Sequence, residues 1–436
     1  MNALTLQNVV SSLRACEAIQ SMNWIASQAR NDGEIQMKQT RNDGEIQMKQ
    51  ARNDRRPLKN AIRMIVYGGL FFLLNIHCQN YKPESDKRMI PLINTTDLYF
   101  PGQDIGDNFD IIAAYALEEV DLRAVILDVT EDYRLENGVG RDMGIIPVTQ
   151  LNYIFDRTVP AAPSPFTRMR SMSDKMEDVP NFQQAGVELL LKTLRESKEK
   201  VDITAFGSAR TIAVAFNREP QLLREKVNLL HLSIGASAPV QIEWNVALDP
   251  HAFVAVLQSG LPIALYPCGA GNLDGGWAAF SYDSNNGYWE LSNMNFVPKM
   301  DPPIRRYLEF AFSRSNRSDF LRALETDDPL FDSNCWNRMH RVWETCVWIC
   351  MTDRALVRRN NGSYRIVRRS DLKPTDSILP NELRPCTLEV QENGLFTYRY
   401  TDQPTNIRIY YRGDPKENEK ALNDALPALY LEFKTK

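Results

Sequence analysis

Apolar and polar positions alternate in a regular rhythm from about residue 89 onward. MIPLIN (89–94) has the continuous apolar character of a strand buried on both faces, and DNFDIIAAYALEEV (107–120) spaces its apolar residues like a helix. LRAVILDV reads as a strand, FQQAGVELLLKTLRESKEK as an amphipathic helix and VDITAFG as a strand. ARTIAVAFNREPQLLREKV then gives one helix or two, followed by NLLHLSIG as strand, PHAFVAVLQSG as helix and LPIALYP as strand. Short strands alternating with helices predict an α/β fold with a mainly parallel sheet covered by helices on both faces. Ligands in such folds bind outside the carboxyl ends of the strands. Asp97, Asp104 and Asp107 fall at such an end, as do FGS (206–208), SIGAS (233–237) and IEWN (242–245).

The rhythm breaks at both ends. Beyond residue 356, SYRIVRR, LEVQENGLFTYRYTD, NIRIYYRG and LYLEF alternate like strands, with an Asn393-Gly394 turn signal. Residues 88–356 therefore read as the α/β domain and 357–436 as a β-rich C-terminal extension. Upstream, RNDGEIQMKQT (30–40) is followed directly by RNDGEIQMKQA (41–51), a polar repeat that cannot bury a core. Residues 1–63 are expected to be a disordered leader or sequence upstream of the true start. In 64–87, basic Lys59 and Arg63 precede an apolar run from Met64 to Leu74, and Cys78 closes it before a polar tether. That order resembles a lipoprotein signal acylated at Cys78, and it implies a lipid-anchored location in the cell envelope. A short membrane anchor or a buried helix is the other reading of the same run.

Charge narrows the partners. A net charge of -4 and a pI near 5.8 give no basic bias, so nucleic acid is not an expected partner. The seven cysteines show no zinc-type CxxC pairing, and Cys346 and Cys350 read as thiols buried in an apolar helix.

Four carboxylates, Asp97, Asp104, Asp107 and Asp110, cluster between the first strand and the first helix. Converging carboxylates repel unless neutralised, and an all-oxygen set suits Ca²⁺ or Mg²⁺. The competing reading has Asp107 and Asp110 capping the helix, with Asp97 and Asp104 in a solvated loop. Tyr99, Phe100, Trp244, Trp277, Tyr288, Trp289 and Trp343 supply aromatic rings that suit either a sugar-binding cleft or the core. His231, inside an apolar strand, reads as a core residue. His340, four residues before Glu344 on an expected helix, would share its face.

Three segments carry a resemblance. DNFDIIAAYALEEVDLRAVILDV, ITAFGSARTIAVAFNREPQL and IEWNVALDPHAFVAVLQSGLPIALYP are similar to stretches of the inosine–uridine nucleoside hydrolases, whose opening motif is D-x-D-P-G-x-D-D before a helix. The resemblance covers roughly residues 88–356 and implies a Rossmann-like nucleoside hydrolase fold. It implies hydrolysis of N-glycosidic bonds in a small-molecule nucleoside or riboside, with Ca²⁺ as cofactor, and leaves a homo-oligomer open. Carried onto this chain, it assigns Asp97 as catalytic base and metal ligand. Asp107, the backbone carbonyl of Phe206 and Glu344 follow as further ligands, with Glu243 and Asn245 on the ribose. Trp343 stands in the substrate site where the family has a leaving-group histidine. Thr95 and Gly106 replace two motif aspartates, and five inserted residues separate Asp97 from Asp107. These departures frame the alternative, a secreted nucleoside- or sugar-binding protein that keeps the fold without the reaction.

Overall fold

The computed structural model describes residues 89–98, 105–130, 144–271, 277–313 and 318–435. The repeat segment 1–63, the lipoprotein-like segment 64–87 with Cys78, and Asp104, Tyr99 and Phe100 lie outside the described residues. All that follows concerns the unit Lys87–Lys436.

In chain order the elements are β1 (Ile90–Thr96), α1 (Ile105–Ala116), β2 (Val120–Leu127), α2 (Ile145–Ile154), β3 (Ala161–Pro163), α3 (Asn181–Glu196) and β4 (Val201–Phe206). Next come α4 (Arg210–Arg218), α5 (Pro220–Lys226), β5 (Val227–Leu232), α6 (Trp244–Leu248), α7 (Pro250–Gln258) and β6 (Ile263–Leu265). The later part holds β7 (Trp289–Leu291), α8 (Pro302–Phe312), β8 (His340–Val342), α9 (Thr345–Met351), β9 (Arg354–Arg358) and β10 (Tyr364–Arg368). It ends with β11 (Ser377–Ile378), β12 (Glu382–Val390), β13 (Phe396–Tyr400), β14 (Ile407–Tyr411) and α10 (Pro415–Glu432).

Nine strands form the central sheet in the order β13-β12-β14-β6-β5-β4-β1-β2-β3. From β3 through β6 and on to β14 every pairing is parallel, while β12 runs antiparallel to both β14 and β13. The fold is α/β, with helices on both faces. On one face Phe109 and Ile112 of α1, Tyr307 of α8, Val347 of α9 and Leu422 of α10 share a core. On the other, Val187 and Leu190 of α3, Ile212 of α4 and Phe253 of α7 pack together. Covering both faces is why β4 buries all six of its residues and reads as an uninterrupted apolar run.

The chain leaves β1 toward β2 and β3 on one side, then returns to lay β4, β5 and β6 on the other. The strand order therefore reverses between β1 and β4, and a crevice opens beyond their carboxyl ends. Register brings Thr96 opposite both Phe206 and Leu127, so Asp97, Gly207 and Asp128 follow three adjacent strands at one level.

Several expectations change in three dimensions. The stretch after β4, left open as one helix or two, is two, broken where Glu219 leaves helical geometry ahead of Pro220. Strands β12 and β14 of the expected extension join the central sheet through the parallel pairing of β14 with β6. LYLEF, read as strand-like, instead closes the 18-residue helix α10 and its C-cap. That helix buries Asn418, Ala421, Leu422, Ala425, Leu426 and Tyr430, a spacing of three and four residues that short-range alternation concealed.

Candidate active site

Asp97, Ile105, Asp107, Phe206, Glu243, Trp244, Asn245, Cys268, Trp277, Ala279, Phe280, Met339, His340, Arg341, Trp343 and Glu344 line one cleft of about 420 Å³. It lies at the strand reversal, and it gathers Asp97, Asp107, Phe206, Glu243, Asn245, Trp343 and Glu344, the site residues assigned through the resemblance. That size lies within the range of small-molecule sites.

The floor is acidic. Carboxylate oxygens of Asp107, Asp110 and Glu344 lie within 4.8 Å of one another, and all three side chains are buried. Asp107 and Asp110 share a face of α1, three residues apart. Glu344 arrives from the residue before α9, where Ser233 Oγ donates to its Oε1 at 3.3 Å. On the capping reading Asp110 would point away from the site. It is instead 3% exposed and accepts a 2.5 Å hydrogen bond from Trp348 Nε1 of α9. The indole and the burial of α1 against α9 turn this carboxylate inward, a tertiary contact spanning 238 residues. Asp97 lines the same cleft but stands outside this converging trio. Three buried carboxylates this close cannot all ionise without a neutralising charge. Their hard oxygen donors fit Ca²⁺, and Asp97 and Phe206 line the same cleft.

The strand ends are held in place by residues that motif reading passed over. Asp128, after β2, accepts hydrogen bonds from Ser208 N at 2.6 Å and Ser164 Oγ at 2.9 Å. A Cβ on Gly207 would stand 3.0 Å from Asp128 Oδ2 and 3.1 Å from Asp97 Cβ, so glycine permits this close approach. The acid in VILDV, directly after a strand's carboxyl end, was the available signal for Asp128. Thr95, at a motif aspartate position, donates instead to Thr204 O across β1 and β4 at 2.8 Å. Its hydroxyl is therefore engaged in strand pairing.

Glu243 and Asn245 frame the next wall. Glu243 N-caps α6: Oε1 accepts from Asn245 N at 2.9 Å, and Oε2 accepts from Gly235 N at 2.8 Å and Val246 N at 3.4 Å. Asn245 Nδ2 donates to Ser233 O at 3.0 Å, which turns the amide across the cleft wall. Burial pushes the Glu243 carboxyl up to about 7, against the opposing pull of those backbone donors. Its folded value thus exceeds the ordinary 4.5, so the folded state holds this proton more tightly. In chelator, the Glu243 contribution to stability is expected to be fully present below about pH 4.5 and lost as pH rises through about 7. Glu243→Gln should flatten the slope of Tm against pH across that window. An unchanged slope would show that the carboxyl does not titrate there.

Aromatic rings form the opposite side. Trp277 meets Trp244 at 6.1 Å and Phe280 at 4.6 Å between ring centroids, and Phe280 continues to Trp343 at 6.2 Å. Trp343 Nε1 donates to Ala279 O at 2.8 Å, which fixes the indole as a wall. Cys268 is buried, its thiol donates to Ser233 O at 3.2 Å, and burial pushes its pKa well above the ordinary thiol value. Such a thiol is a poor nucleophile. His340, expected on a helix with Glu344, stands on strand β8, and burial lowers its pKa. His231 is a core residue, bonded to Tyr266 OH and Asp202 Oδ2 at 3.1 Å each.

Comparison with known proteins follows the same residues. The profile of the inosine-uridine preferring nucleoside hydrolases matches residues 104–398, running past residue 356 through β12 and into β13. The pyrimidine-specific ribonucleoside hydrolase RihA of Citrobacter koseri is 37% identical over 84 residues, which make up 18% of this chain and 27% of that protein. RihA of Escherichia coli O1:K1 is 28% identical over 185 residues, covering 38% of this chain and 57% of the relative. The chain thus spans between a quarter and somewhat over half the length of these curated relatives. Among solved structures, the purine-preferring ribonucleoside hydrolase from Gardnerella vaginalis aligns with a TM-score of 0.45 and 12% identity, over 78% of this chain and 99% of that one.

Proposed function

Because this chain belongs to the inosine-uridine preferring nucleoside hydrolase family, we propose that it hydrolyses the N-glycosidic bond of a nucleoside or related riboside with Ca²⁺ as cofactor and without a histidine leaving-group acid. The observation that carries this reading is the convergence of the Asp107, Asp110 and Glu344 carboxylates, two of which line one cleft with Asp97, Glu243 and Asn245.

Asp107, Asp110 and Glu344 would hold the ion, and Asp97 and the Phe206 carbonyl, in the same cleft, would complete its oxygen set. Bound there, Ca²⁺ supplies charge that lowers the pKa of water and binds sugar hydroxyls. Asp97, at the end of β1, takes the proton of the attacking water. Asn245 spends one amide proton on Ser233, which leaves its carbonyl oxygen and second amide proton for a ribose hydroxyl. Glu243 accepts from the sugar with what its three backbone bonds leave free. Holding the diol this way orients the anomeric carbon toward water, a contribution made by position rather than by charge. The Trp343 indole is tied to Ala279, so the departing base gains a stacking surface there and no proton.

Incubating the protein with a panel of purine and pyrimidine nucleosides, with Ca²⁺ and again after chelation, tests the reading through released ribose. Ca²⁺-dependent release from at least one nucleoside is the expected result. Ligands that raise Tm but are recovered intact would favour the non-catalytic binding protein, a reading that the pinned indole at the acid position supports.

A further inference from the structure

Among the residues lining the cleft, four carboxylates are set against a single arginine. Arg341 on β8 is exposed, and its guanidinium carbon sits 4.1 Å above the centroid of the Phe280 ring. The nearby Tyr288 hydroxyl donates to Glu290 Oε1 at 2.6 Å. Glu290 lies opposite Arg341 across the β7–β8 ladder. Arg369, by contrast, is matched directly to Asp353, while Arg224 sits over the Phe216 ring but does not line this cleft. Arg341 has no ion-pair partner among the described residues; it meets an aromatic face. A guanidinium held over a ring face keeps its in-plane donors for other partners.

We propose that Arg341 is a specificity-determining residue that selects ribosides carrying a negatively charged substituent, a phosphate on the sugar or a carboxylate on the base. The inference rests on the riboside reading of this cleft and deepens it. The acidic floor and Asn245 take the ribose end, and Trp277, Phe280 and Trp343 offer flat surface to a base. Arg341 lies on that aromatic wall, within reach of a group projecting from a stacked ligand. A planar guanidinium pairs with carboxylate and phosphate through two parallel hydrogen bonds, which an ammonium cannot reproduce. A neutral nucleoside would leave those donors to water.

The test is equilibrium binding to the full-length protein in Ca²⁺, using uridine, uridine 5′-monophosphate and orotidine (uridine with a carboxylate on the base), each checked afterwards for released sugar. At least one anionic probe should bind about 10-fold or more tightly than uridine. Arg341→Gln should remove that preference while leaving the affinity for uridine within about two-fold, and Arg341→Lys should keep only part of it. Tight binding of the monophosphate places the anion on the sugar; tight binding of orotidine places it on the base. Equal affinity for all three probes, a preference that survives Arg341→Gln, or no binding of any anionic probe would overturn the proposal. Preference without sugar release would sink the hydrolase reading and leave the anion selection standing.

Discussion

Asp107→Asn is expected to lower kcat/KM on the most reactive nucleoside by on the order of 10³-fold, about 4 kcal/mol of lost transition-state stabilisation. The variant keeps the size and hydrogen-bonding reach of the aspartate but removes one of three charges packed within 4.8 Å. Folding should survive, since fewer buried carboxylates repel one another. The ion-specific readout is the rise in Tm on adding Ca²⁺, which mass action ties to affinity and which should shrink sharply. Asp110→Asn should behave similarly, because Asp110 belongs to the same trio and is held there by Trp348. Had Asp110 been a helix cap, its loss would cost only about 1 kcal/mol of stability and leave ion binding alone. An undiminished Ca²⁺ effect on Tm in both variants would remove the trio from the metal site.

Arg210→Met is expected to destabilise the fold by roughly 3–5 kcal/mol, measured as a fall in the urea midpoint. Arg210 is fully buried and spends all its donors. Nε binds Asp249 Oδ2 at 2.8 Å, Nη1 binds Val129 O at 3.1 Å and Pro165 O at 2.8 Å, and Nη2 binds Thr130 Oγ1 at 2.9 Å and Leu248 O at 3.0 Å. Asp249 also N-caps α7 through Ala252 N and accepts from Met169 N, so it would be left buried without its counter-charge. Asp128 would lose a charge 3.7 Å away as well, loosening the turn that sets Gly207 against Asp97. Arg210→Lys should recover only part of the loss, since one ammonium cannot replace a five-donor fork. A change below about 1 kcal/mol would show that the network is not a stability determinant.

Local pattern made much of this molecule legible. Apolar runs such as VDITAF and ILDV declared strands buried on both faces, and their alternation with helices declared a mainly parallel sheet. The strand-end segments FGS and IEWN do end in the cleft, because in a parallel sheet every carboxyl end points the same way. What stayed hidden has a common cause. His340 and Glu344 are four residues apart, yet the chain changes from strand to helix between them, so helical spacing misplaced one against the other. LYLEF alternates over too few residues to distinguish strand from helix, and its fate was set by packing Tyr430 onto Phe109 at 4.9 Å.

Sequence by itself determined which segments become strands and helices of the main α/β body, and that acids and aromatics would collect at strand ends. Both follow from periodicity, which is local chemistry repeated along the chain. Only the tertiary structure decided which carboxylates converge. Asp110 turns inward because an indole 238 residues away donates to it and helix packing denies it water. Asp97 joins them only by sharing a cleft with Asp107 and Glu344, outside the 4.8 Å convergence. Arg210 and Asp128, silent in any motif, hold the strand ends because burial makes a charge seek whichever partners the fold brings near. Desolvation acts between residues that are neighbours only in space, and no reading along the chain contains that distance.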